Sequence, residues 1–316
     1  MTTPALELVH VSKSFGSVLA LQDISLAVYP GSVTCVLGDN GAGKSNLIEA
    51  AYLLATTRSP YTSSERDLIS WNCPHRPAFA RTIGVCEGAR HNATIELRLV
   101  EPATIEFKPG QFISFELPHP ETGRPITRAY SIASSPSRPG CVTLLFNRVS
   151  GGPGSALLYG FKAGDTTYFK GPAGHFTLHD DPGCELLFVA TGTGITPIWS
   201  MLLANAERPD PRPATLFWGL RSQRDLYYQE NLIALARKIP KMTTVLTLSR
   251  PEPGWTGASG WVQQLVEERV TSVAQLAVYL CGSGGMIADV TQTLQRKGLC
   301  PIYREKYYDA AAKTNG

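Results

Sequence analysis

The sequence of 316 residues contains no long apolar run and few charged residues. No stretch approaches the roughly 18 consecutive apolar residues that cross a bilayer, and the first residues lack the basic and apolar segments of a signal peptide. We therefore expect neither membrane insertion nor secretion. Charged residues make up 17% of the chain, and 29 Lys and Arg against 26 Asp and Glu form no basic stripe. This distribution argues against a nucleic-acid partner.

Cysteine is also sparse and scattered. The 7 cysteines are odd in number, and no two of them have the C-x-x-C spacing. This pattern fits neither a disulfide framework nor a zinc or iron–sulfur centre, so we predict no metal site. A reducing, cytoplasmic compartment is the simplest interpretation.

The residues that are present describe a folded globular chain. Hydrophobic residues make up 43% and the mean hydropathy is −0.06, which excludes a mostly disordered protein. At about 150 residues per domain, the length allows for about two domains.

Composition and periodicity divide the chain into five segments. Residues 1–55 combine β-like runs with a Gly-rich loop, and we expect a parallel-sheet fragment there. Residues 56–79, rich in Ser, Thr and Pro, are predicted to be a linker, and residues 310–316 are a small tail. In residues 80–183 short strand-like runs alternate with turn signals, which predicts an antiparallel β-barrel. In residues 184–309 strand-like and helix-like runs alternate, which predicts an α/β domain with a parallel sheet.

Several short motifs follow one another in a fixed order along the predicted barrel and α/β segments, residues 80–309. They are Arg128-Ala129-Tyr130-Ser131, Gly151-Gly152-Pro153-Gly154-Ser155, Gly171-Pro172-Ala173-Gly174-His175-Phe176, Gly192-Thr193-Gly194-Ile195-Thr196-Pro197, Cys281-Gly282-Ser283-Gly284-Gly285-Met286 and Glu305-Lys306-Tyr307. Taken singly, each has a structural explanation as a strand end, a tight turn, a core cysteine or a packed tyrosine. Together they resemble the ferredoxin–NADP reductase superfamily, which pairs an FAD-binding barrel with a nicotinamide-binding α/β domain.

The barrel motifs have the chemistry that FAD requires. A pyrophosphate needs a fixed cation and exposed backbone N–H groups, which Arg128 and the turn of Gly152, Gly154 and Ser155 supply. The resemblance implies FAD at these positions. It also implies that Tyr130 stacks on the isoalloxazine ring and that Ser131 lies near its N5 atom.

The α/β motifs indicate a nicotinamide nucleotide. Two glycines directly after an apolar strand, at the start of a helix, let backbone approach a pyrophosphate. We predict that the nucleotide contacts Thr193, Gly194, Thr196, Gly282 and Met286.

The resemblance implies three catalytic residues and one further cofactor contact. Ser131 and Cys281 would lie beside the flavin and the nicotinamide, and Glu305 and Tyr307 near the flavin edge. The tail beyond Tyr307 departs from the family ending, so a blocking role for this tyrosine over the flavin is not assigned.

Arg221 and Arg250 follow the second and third strands of the α/β segment and could contact phosphate. Both positions are also basic in relatives of the resembled family that use NADH. The choice between NADH and NADPH therefore stays open.

Residues 38–45 match G-x-x-x-x-G-K-[ST], with Gly41, Gly43, Lys44 and Ser45 as candidate phosphate ligands. The surrounding residues resemble the start of an ABC-transporter ATPase subunit, which implies ATP and Mg²⁺. No second acidic strand or LSGGQ-type segment follows. We therefore favour an incomplete fragment without turnover. A P-loop that still binds nucleotide is the second alternative, and a working ATPase is the third.

The resemblance over residues 80–309 implies an FAD-dependent NAD(P)H oxidoreductase. Hydride would pass from NAD(P)H to FAD, and electrons would then pass to a separate protein such as a ferredoxin, an oxygenase component or a cytochrome. The chain has no C-x4-C-x2-C segment, so any iron–sulfur relay would belong to a partner. The alternative is a nucleotide-binding accessory protein that acts through the N-terminal P-loop.

Overall fold

The computed structural model describes residues 6–15, 18–29, 78–87, 92–119, 122–148, 152–181 and 183–307. The chain divides into two compact units, Met1–Arg76 and Pro77–Gly316. The candidate phosphate ligands Gly41, Gly43, Lys44 and Ser45 lie outside the described residues, as do residues 310–316 and most of the predicted linker.

The described part of the first unit is a β-hairpin. Strands β1 (Leu6–Phe15) and β2 (Val18–Val28) pair antiparallel, with Leu6 opposite Val28 and Phe15 opposite Val18. We expected a parallel fragment here. The two residues between these strands are too few for the crossover that a parallel pair requires.

The first part of the second unit is a β-barrel of six strands. They are β3 (Ala78–Glu87), β4 (Asn92–Glu101), β5 (Phe112–Pro118), β6 (Pro125–Ser131), β7 (Cys141–Asn147) and β8 (Thr166–Ala173). They pair antiparallel in the order β6-β5-β8-β3-β4-β7. A bridge between Ile132 and Leu144 joins the two outer strands, so the sheet closes.

Alternation along the strands fills the barrel. In β4, Ile95 and Leu97 are buried while Arg98 is exposed, which is the period of two expected for a sheet with one buried face. The ring of Phe115 packs edge-to-face against Phe169 at 6.4 Å.

The second part is a six-stranded parallel sheet. Its strands are β9 (Glu185–Thr191), β10 (Ala214–Leu220), β11 (Thr243–Leu248), β12 (Ala258–Ser259), β13 (Leu276–Gly282) and β14 (Ile302–Lys306). The order is β12-β11-β10-β9-β13-β14, and every pairing is parallel. Strands β10, β11 and β12 follow one another on one side of β9, and β13 and β14 lie on its other side. Ligands of open parallel sheets bind where the order reverses in this way, which here is between β9 and β13.

Five helices complete the second unit as described. They are α1 (Pro153–Gly160), α2 (Ile195–Ala206), α3 (Gln229–Ala236), α4 (Val262–Arg269) and α5 (Gly284–Lys297). The Ser283 hydroxyl caps α5 by accepting from the N–H of Met286 at 3.3 Å, which satisfies one of the unpaired donors at a helix start. Among the described residues, no helix has the length and apolar character required to cross a membrane.

Helix α2 joins the barrel to the parallel sheet. The Ser200 hydroxyl donates to the carbonyl of Ser134 at 2.7 Å, and the Thr196 hydroxyl lies 3.3 Å from the carbonyl of Leu145. Both acceptors belong to the barrel part, so one helix of the α/β part contacts both layers.

The predicted fold class of the second unit is confirmed, since an antiparallel barrel precedes a parallel α/β sheet. Strands β3 and β14 and helix α1 were not predicted. The pairing of β3 with β4 shifts register twice, and such irregularities interrupt the period that sequence patterns reveal. Strand β14 is short and carries three charged residues among its five.

Candidate functional site

The barrel and the parallel sheet meet at a junction, here termed the cleft, between the end of β6 and the carboxyl ends of β13 and β14. The hydroxyls of Ser131 and Tyr307 are 2.7 Å apart in a hydrogen bond. The N–H of Tyr307 donates to the carbonyl of Gly282 at 2.9 Å. The structure therefore brings together the predicted residues Ser131, Gly282 and Tyr307, which are distant in sequence.

Cys281 lies beneath this cleft and has 0% of its surface exposed. It pairs in register with Glu305 across the parallel strands β13 and β14. Burial raises the pKa of the Cys281 thiol well above its usual value, and the Glu305 carboxylate raises it further, while a hydrogen bond with Tyr307 opposes both. The thiol is consequently neutral near pH 7.

The Tyr307 hydroxyl is hydrogen-bonded to Ser131 and lies next to the Cys281 thiol. Burial raises the pKa of Tyr307, the neighbouring Cys281 and Glu305 raise it further, and the hydrogen bond with Ser131 lowers it. A neutral phenol is both a donor and an acceptor. It can therefore link a hydroxyl of the barrel to a thiol of the parallel sheet.

On the barrel side, Arg128 and Tyr130 lie against the start of α1. The Arg128 guanidinium donates to the carbonyl of Thr127 at 2.9 Å and is exposed. A Cβ added at Gly154 would overlap the Tyr130 hydroxyl and would lie 3.0 Å from Arg128 Cγ. Only glycine lets the start of α1 approach these two side chains so closely.

Tyr130 is anchored by aromatic contacts. Its ring lies edge-to-face with Phe115 at 5.9 Å and with Phe146 at 6.0 Å. Burial raises the pKa of Tyr130 to about 12, and the Arg128 guanidinium opposes this shift. Its hydroxyl is therefore protonated at any physiological pH.

Arg128, Tyr130 and the start of α1 fit the chemistry of FAD. The first turn of α1 contains no acidic residue, and Gly152 at its start provides no side-chain cap. The Ser155 hydroxyl donates to the carbonyl of Gly152 at 3.0 Å and so tightens the turn. A helix start without a carboxylate, beside an exposed guanidinium, suits a pyrophosphate.

On the sheet side, two glycine turns lie against each other at the reversal between β9 and β13. A Cβ added at Gly194 would overlap the carbonyl of Cys281, and one added at Gly282, whose φ is +144°, would overlap the Thr191 hydroxyl. The backbone segments are thus as close as glycine permits. Thr193 follows Gly192 in a single 3-10 turn that leads into α2.

Two predicted ligand contacts have side chains that face the interior. Thr196 is 1% exposed, and its hydroxyl donates to the carbonyl of Thr193 at 2.8 Å. Met286 is 3% exposed and packs in the core below α5. Neither side chain has surface for a ligand in this conformation, so any contact would be through their backbone.

Arg221 and Arg250 lie side by side after β10 and β11, since the N–H of Arg250 donates to the carbonyl of Arg221 at 2.7 Å. Both side chains are exposed and have no hydrogen-bonding or ionic partner within the described ranges. In contrast, the nearby Arg224 pairs with Glu252 at 2.8 Å. Arg221 and Arg250 therefore remain the candidate phosphate contacts that the sequence predicts.

Sequence reasoning missed three aromatic residues at the same edge. Trp218 and Tyr227 both donate to the carbonyl of Gly192, each at 3.0 Å. Trp261, at the start of α4, is 59% exposed. A tryptophan directly after a glycine, Gly260, is the sequence signal that could have pointed to Trp261.

An antiparallel barrel followed by a parallel α/β sheet, together with two family matches, defines an oxidoreductase with an FAD-binding and an NAD-binding domain. The chain matches the family models "Oxidoreductase FAD-binding domain" over residues 88–178 and "Oxidoreductase NAD-binding domain" over residues 188–292. It is 37% identical over 192 residues to ferredoxin–NADP reductase B of Sorangium cellulosum, covering 59% of this chain and 78% of that protein. The chain therefore belongs to the ferredoxin–NADP reductase superfamily.

Two further relatives indicate the breadth of this family. The reductase component of propane 2-monooxygenase from Mycolicibacterium smegmatis is 32% identical, with 70% of this chain and 64% of that protein covered. The crystal structure of the Amycolatopsis cytochrome P450 reductase GcoB matches with a TM-score of 0.65 at 28% identity, covering 73% of this chain and 69% of that one. The chain thus spans just under two thirds of the monooxygenase component.

The family matches begin at residue 88 and give no support to an ABC-transporter fragment at residues 1–55, or to ATP and Mg²⁺ as its ligands.

Proposed function

We propose that this chain is an FAD-dependent NAD(P)H reductase that delivers electrons to a separate protein. The observation that carries the proposal is the hydrogen bond of 2.7 Å between Ser131 and Tyr307. It joins the barrel edge to the carboxyl edge of the parallel sheet, so ligands of the two parts would meet there. Bound FAD supplies the chemistry: it accepts hydride from a nicotinamide and releases electrons one at a time.

Arg128 and the start of α1 would hold the FAD pyrophosphate. The exposed guanidinium supplies positive charge, and Gly152, Gly154 and Ser155 supply backbone N–H groups at a helix start. The phenol of Tyr130 would line the flavin ring, and the Ser131 hydroxyl would contact its polar edge. These assignments explain why Gly154 packs so closely on Tyr130 and Arg128.

The nicotinamide nucleotide would extend along the carboxyl edge of the sheet. The backbone of Thr193 and Gly194, at the start of α2, would contact its pyrophosphate. Arg221 and Arg250 are the free cations for further phosphate, and Trp261 offers an exposed indole to the adenine. The preference between NADH and NADPH follows from which phosphates these arginines contact.

Cys281 and Glu305 would lie under the nicotinamide ring. Because Cys281 is fully buried while the Tyr307 hydroxyl bridges it to Ser131, a nicotinamide can reach the thiol only after Tyr307 moves. We therefore propose that the Tyr307 side chain turns away when the nucleotide binds.

The acceptor would be a protein. The relatives include a ferredoxin–NADP reductase and a monooxygenase reductase component, so we propose a ferredoxin, an oxygenase component or a cytochrome as the partner. We further propose the domain limits 80–183 and 184–309 for the two parts, and a cytoplasmic location because the cysteines are scattered and odd in number.

The test is steady-state turnover by the full chain after reconstitution with FAD. We expect NADH or NADPH to drive reduction of ferricyanide and cytochrome c, with Ser131→Ala retaining FAD but losing rate. A variant at a surface hydroxyl outside the cleft, Ser272→Ala, serves as the control. A reconstituted protein that reduces neither acceptor with either nucleotide would contradict the proposal.

A second proposal concerns residues 1–55, because residues 38–45 match the P-loop pattern. In this case the chain would bind a nucleoside triphosphate with Mg²⁺ through Gly41, Gly43, Lys44 and Ser45. Calorimetry with ATP and Mg²⁺ should show binding that disappears in Lys44→Ala. If the unaltered chain does not bind ATP, this second proposal is wrong.

A further inference from the structure

The carbonyl oxygen of Gly192 is held by three donors. It accepts from the indole N–H of Trp218 at 3.0 Å and from the hydroxyl of Tyr227 at 3.0 Å. The N–H of Ile195, at the start of α2, also donates to it. A carbonyl oxygen has two lone pairs, so this acceptor is saturated.

The two side-chain donors form a rigid pair. Trp218, in the centre of β10, is 0% exposed. The ring of Tyr227 meets it edge-to-face, with centroids 4.8 Å apart at 84°, and on its other side packs against Tyr228 at 5.9 Å. Because both rings are fixed by packing, the position of the Gly192 carbonyl is fixed with them.

This arrangement determines where the next backbone donor points. In a planar trans peptide the C=O and the following N–H point in opposite directions. Since the Gly192 carbonyl faces Trp218 and Tyr227, the N–H of Thr193 faces away from them. Gly192 has a φ of +54° and open space around its Cβ position, so its glycine is required by the backbone conformation rather than by crowding.

We propose that Tyr227 and Trp218 are positioning residues for the nicotinamide nucleotide: they hold the Gly192 peptide so that the Thr193 N–H is directed at the pyrophosphate. This inference rests on the proposed function, because it assumes that the nucleotide binds at the turn before α2. Neither side chain needs to touch the ligand. Without the two hydrogen bonds the Gly192 peptide can rotate. Nucleotide binding must then order this peptide, and the lost conformational entropy weakens the affinity.

The experiment compares Tyr227→Phe with Tyr303→Phe in the full chain loaded with FAD. Tyr303 is the matched control, because its hydroxyl also makes a hydrogen bond, to Asp181 at 3.2 Å, but at the opposite edge of the sheet. Calorimetry measures the Kd of NAD⁺ and NADP⁺, and rapid mixing with the reduced nucleotides measures the limiting rate of FAD reduction. Amide hydrogen exchange of residues 192–195 is followed without nucleotide. Trp218→Phe, which removes the other donor, is a second variant.

For Tyr227→Phe we expect a Kd about fivefold higher, a limiting rate within about twofold of the unaltered chain, and faster exchange at residues 192–195. Tyr303→Phe should change none of these. Unchanged Kd and exchange in Tyr227→Phe, while the unaltered chain binds nucleotide normally, would overturn the positioning role alone. Failure of the unaltered chain to bind either nucleotide would overturn the proposed function and this role with it.

Discussion

The two edges of the parallel sheet differ in how their arginines are used. At the amino edge, Arg212 donates to the carbonyl of His179 at 2.8 Å and to that of Asp181 at 3.3 Å, and Arg208 pairs with Asp180 at 2.7 Å. At the carboxyl edge, Arg221 and Arg250 are exposed and have no such partner in the described parts of the chain.

The contrast extends to the aromatic residues. At the amino edge, Tyr303 stacks on His179 at 4.1 Å and donates to Asp181. At the carboxyl edge, Trp261 is exposed and the Tyr307 hydroxyl extends across the cleft to Ser131. The same residue types therefore hold the fold together at one edge and remain available for a ligand at the other.

This difference separates stability from function within a single sheet. Polar groups whose bonds are satisfied internally contribute to folding, whereas the exposed arginines at the carboxyl edge would bind an anion under the proposed function. Substitutions at the amino edge should thus lower the free energy of unfolding, and matched substitutions at the carboxyl edge should weaken nucleotide binding.

The largest effect is expected for Gly194→Ala. A new Cβ would overlap the backbone of Cys281, so the two turns must separate. Overpacking of this kind costs about 1–3 kcal/mol of folding free energy, and the displaced turn should abolish detectable reduction of FAD by NAD(P)H. Urea unfolding and rapid mixing measure the two effects.

Gly285→Ala is the control for that change. A Cβ at Gly285 would meet nothing within 4 Å, and alanine is a better helix former than glycine by about 1 kcal/mol. Its stability should be equal or slightly higher, and reduction of FAD should continue. If the two variants have the same free energy of unfolding and the same rate of FAD reduction, the close contact between the turns contributes to neither.

The next effect separates the two edges directly. Removing a charged hydrogen-bonding group from a phosphate costs about 1.5–3 kcal/mol, so Arg250→Ala should weaken binding of the preferred nucleotide at least tenfold. Its free energy of unfolding should change by less than about 0.5 kcal/mol, as is usual for exposed sites. Calorimetric titration with NADP⁺ and NAD⁺ also identifies the preferred nucleotide.

Arg212→Ala should do the reverse. It leaves the carbonyls of His179 and Asp181 without this donor, which should lower stability by about 1 kcal/mol without changing nucleotide affinity. If both arginine variants lose affinity to the same extent, the proposed division between the edges is incorrect.

The last effect is absent at neutral pH and appears only at alkaline pH. The Cys281 pKa is raised by burial and by Glu305, whereas an unfolded cysteine ionises near pH 8.5. The stability that the neutral thiol contributes is therefore complete below about pH 8.5 and is lost as pH rises, by up to about 1.4 kcal/mol per pH unit. Urea unfolding between pH 7 and pH 10 should show a shallower decline in Cys281→Ala; an unchanged decline would mean that the thiol ionises normally.

The sequence predicted most of the second unit because its signals are local. The run TTVLTL, residues 243–248, predicts a strand, and β11 occupies it, since apolar strands between turn signals are readable without tertiary context. The helix-like run of residues 226–239 begins three residues before α3, because Tyr228, with a φ of +59°, precedes the first turn of the helix. A left-handed tyrosine has no pattern by which a sequence reveals it.

The site was predictable only in part. The glycine turns and the barrel motif predicted Gly194, Gly282 and Arg128 as ligand contacts, because those residue types follow from backbone approach and charge; the structure shows the close backbone approach at the two glycines. Trp218 and Tyr227 were missed because their function depends on one distant carbonyl. Contacts between residues far apart in sequence are set by packing and not by local pattern.

The most direct test of the account is an anaerobic titration of the FAD-loaded chain with NADH and with NADPH, followed by the visible absorption of the flavin. We predict stoichiometric bleaching by at least one nucleotide, since ligands of the barrel and of the sheet would meet where Ser131 contacts Tyr307. Chemical reduction of the same sample confirms that its flavin can be bleached. A flavin that responds to the chemical reductant but to neither nucleotide would contradict the central claim.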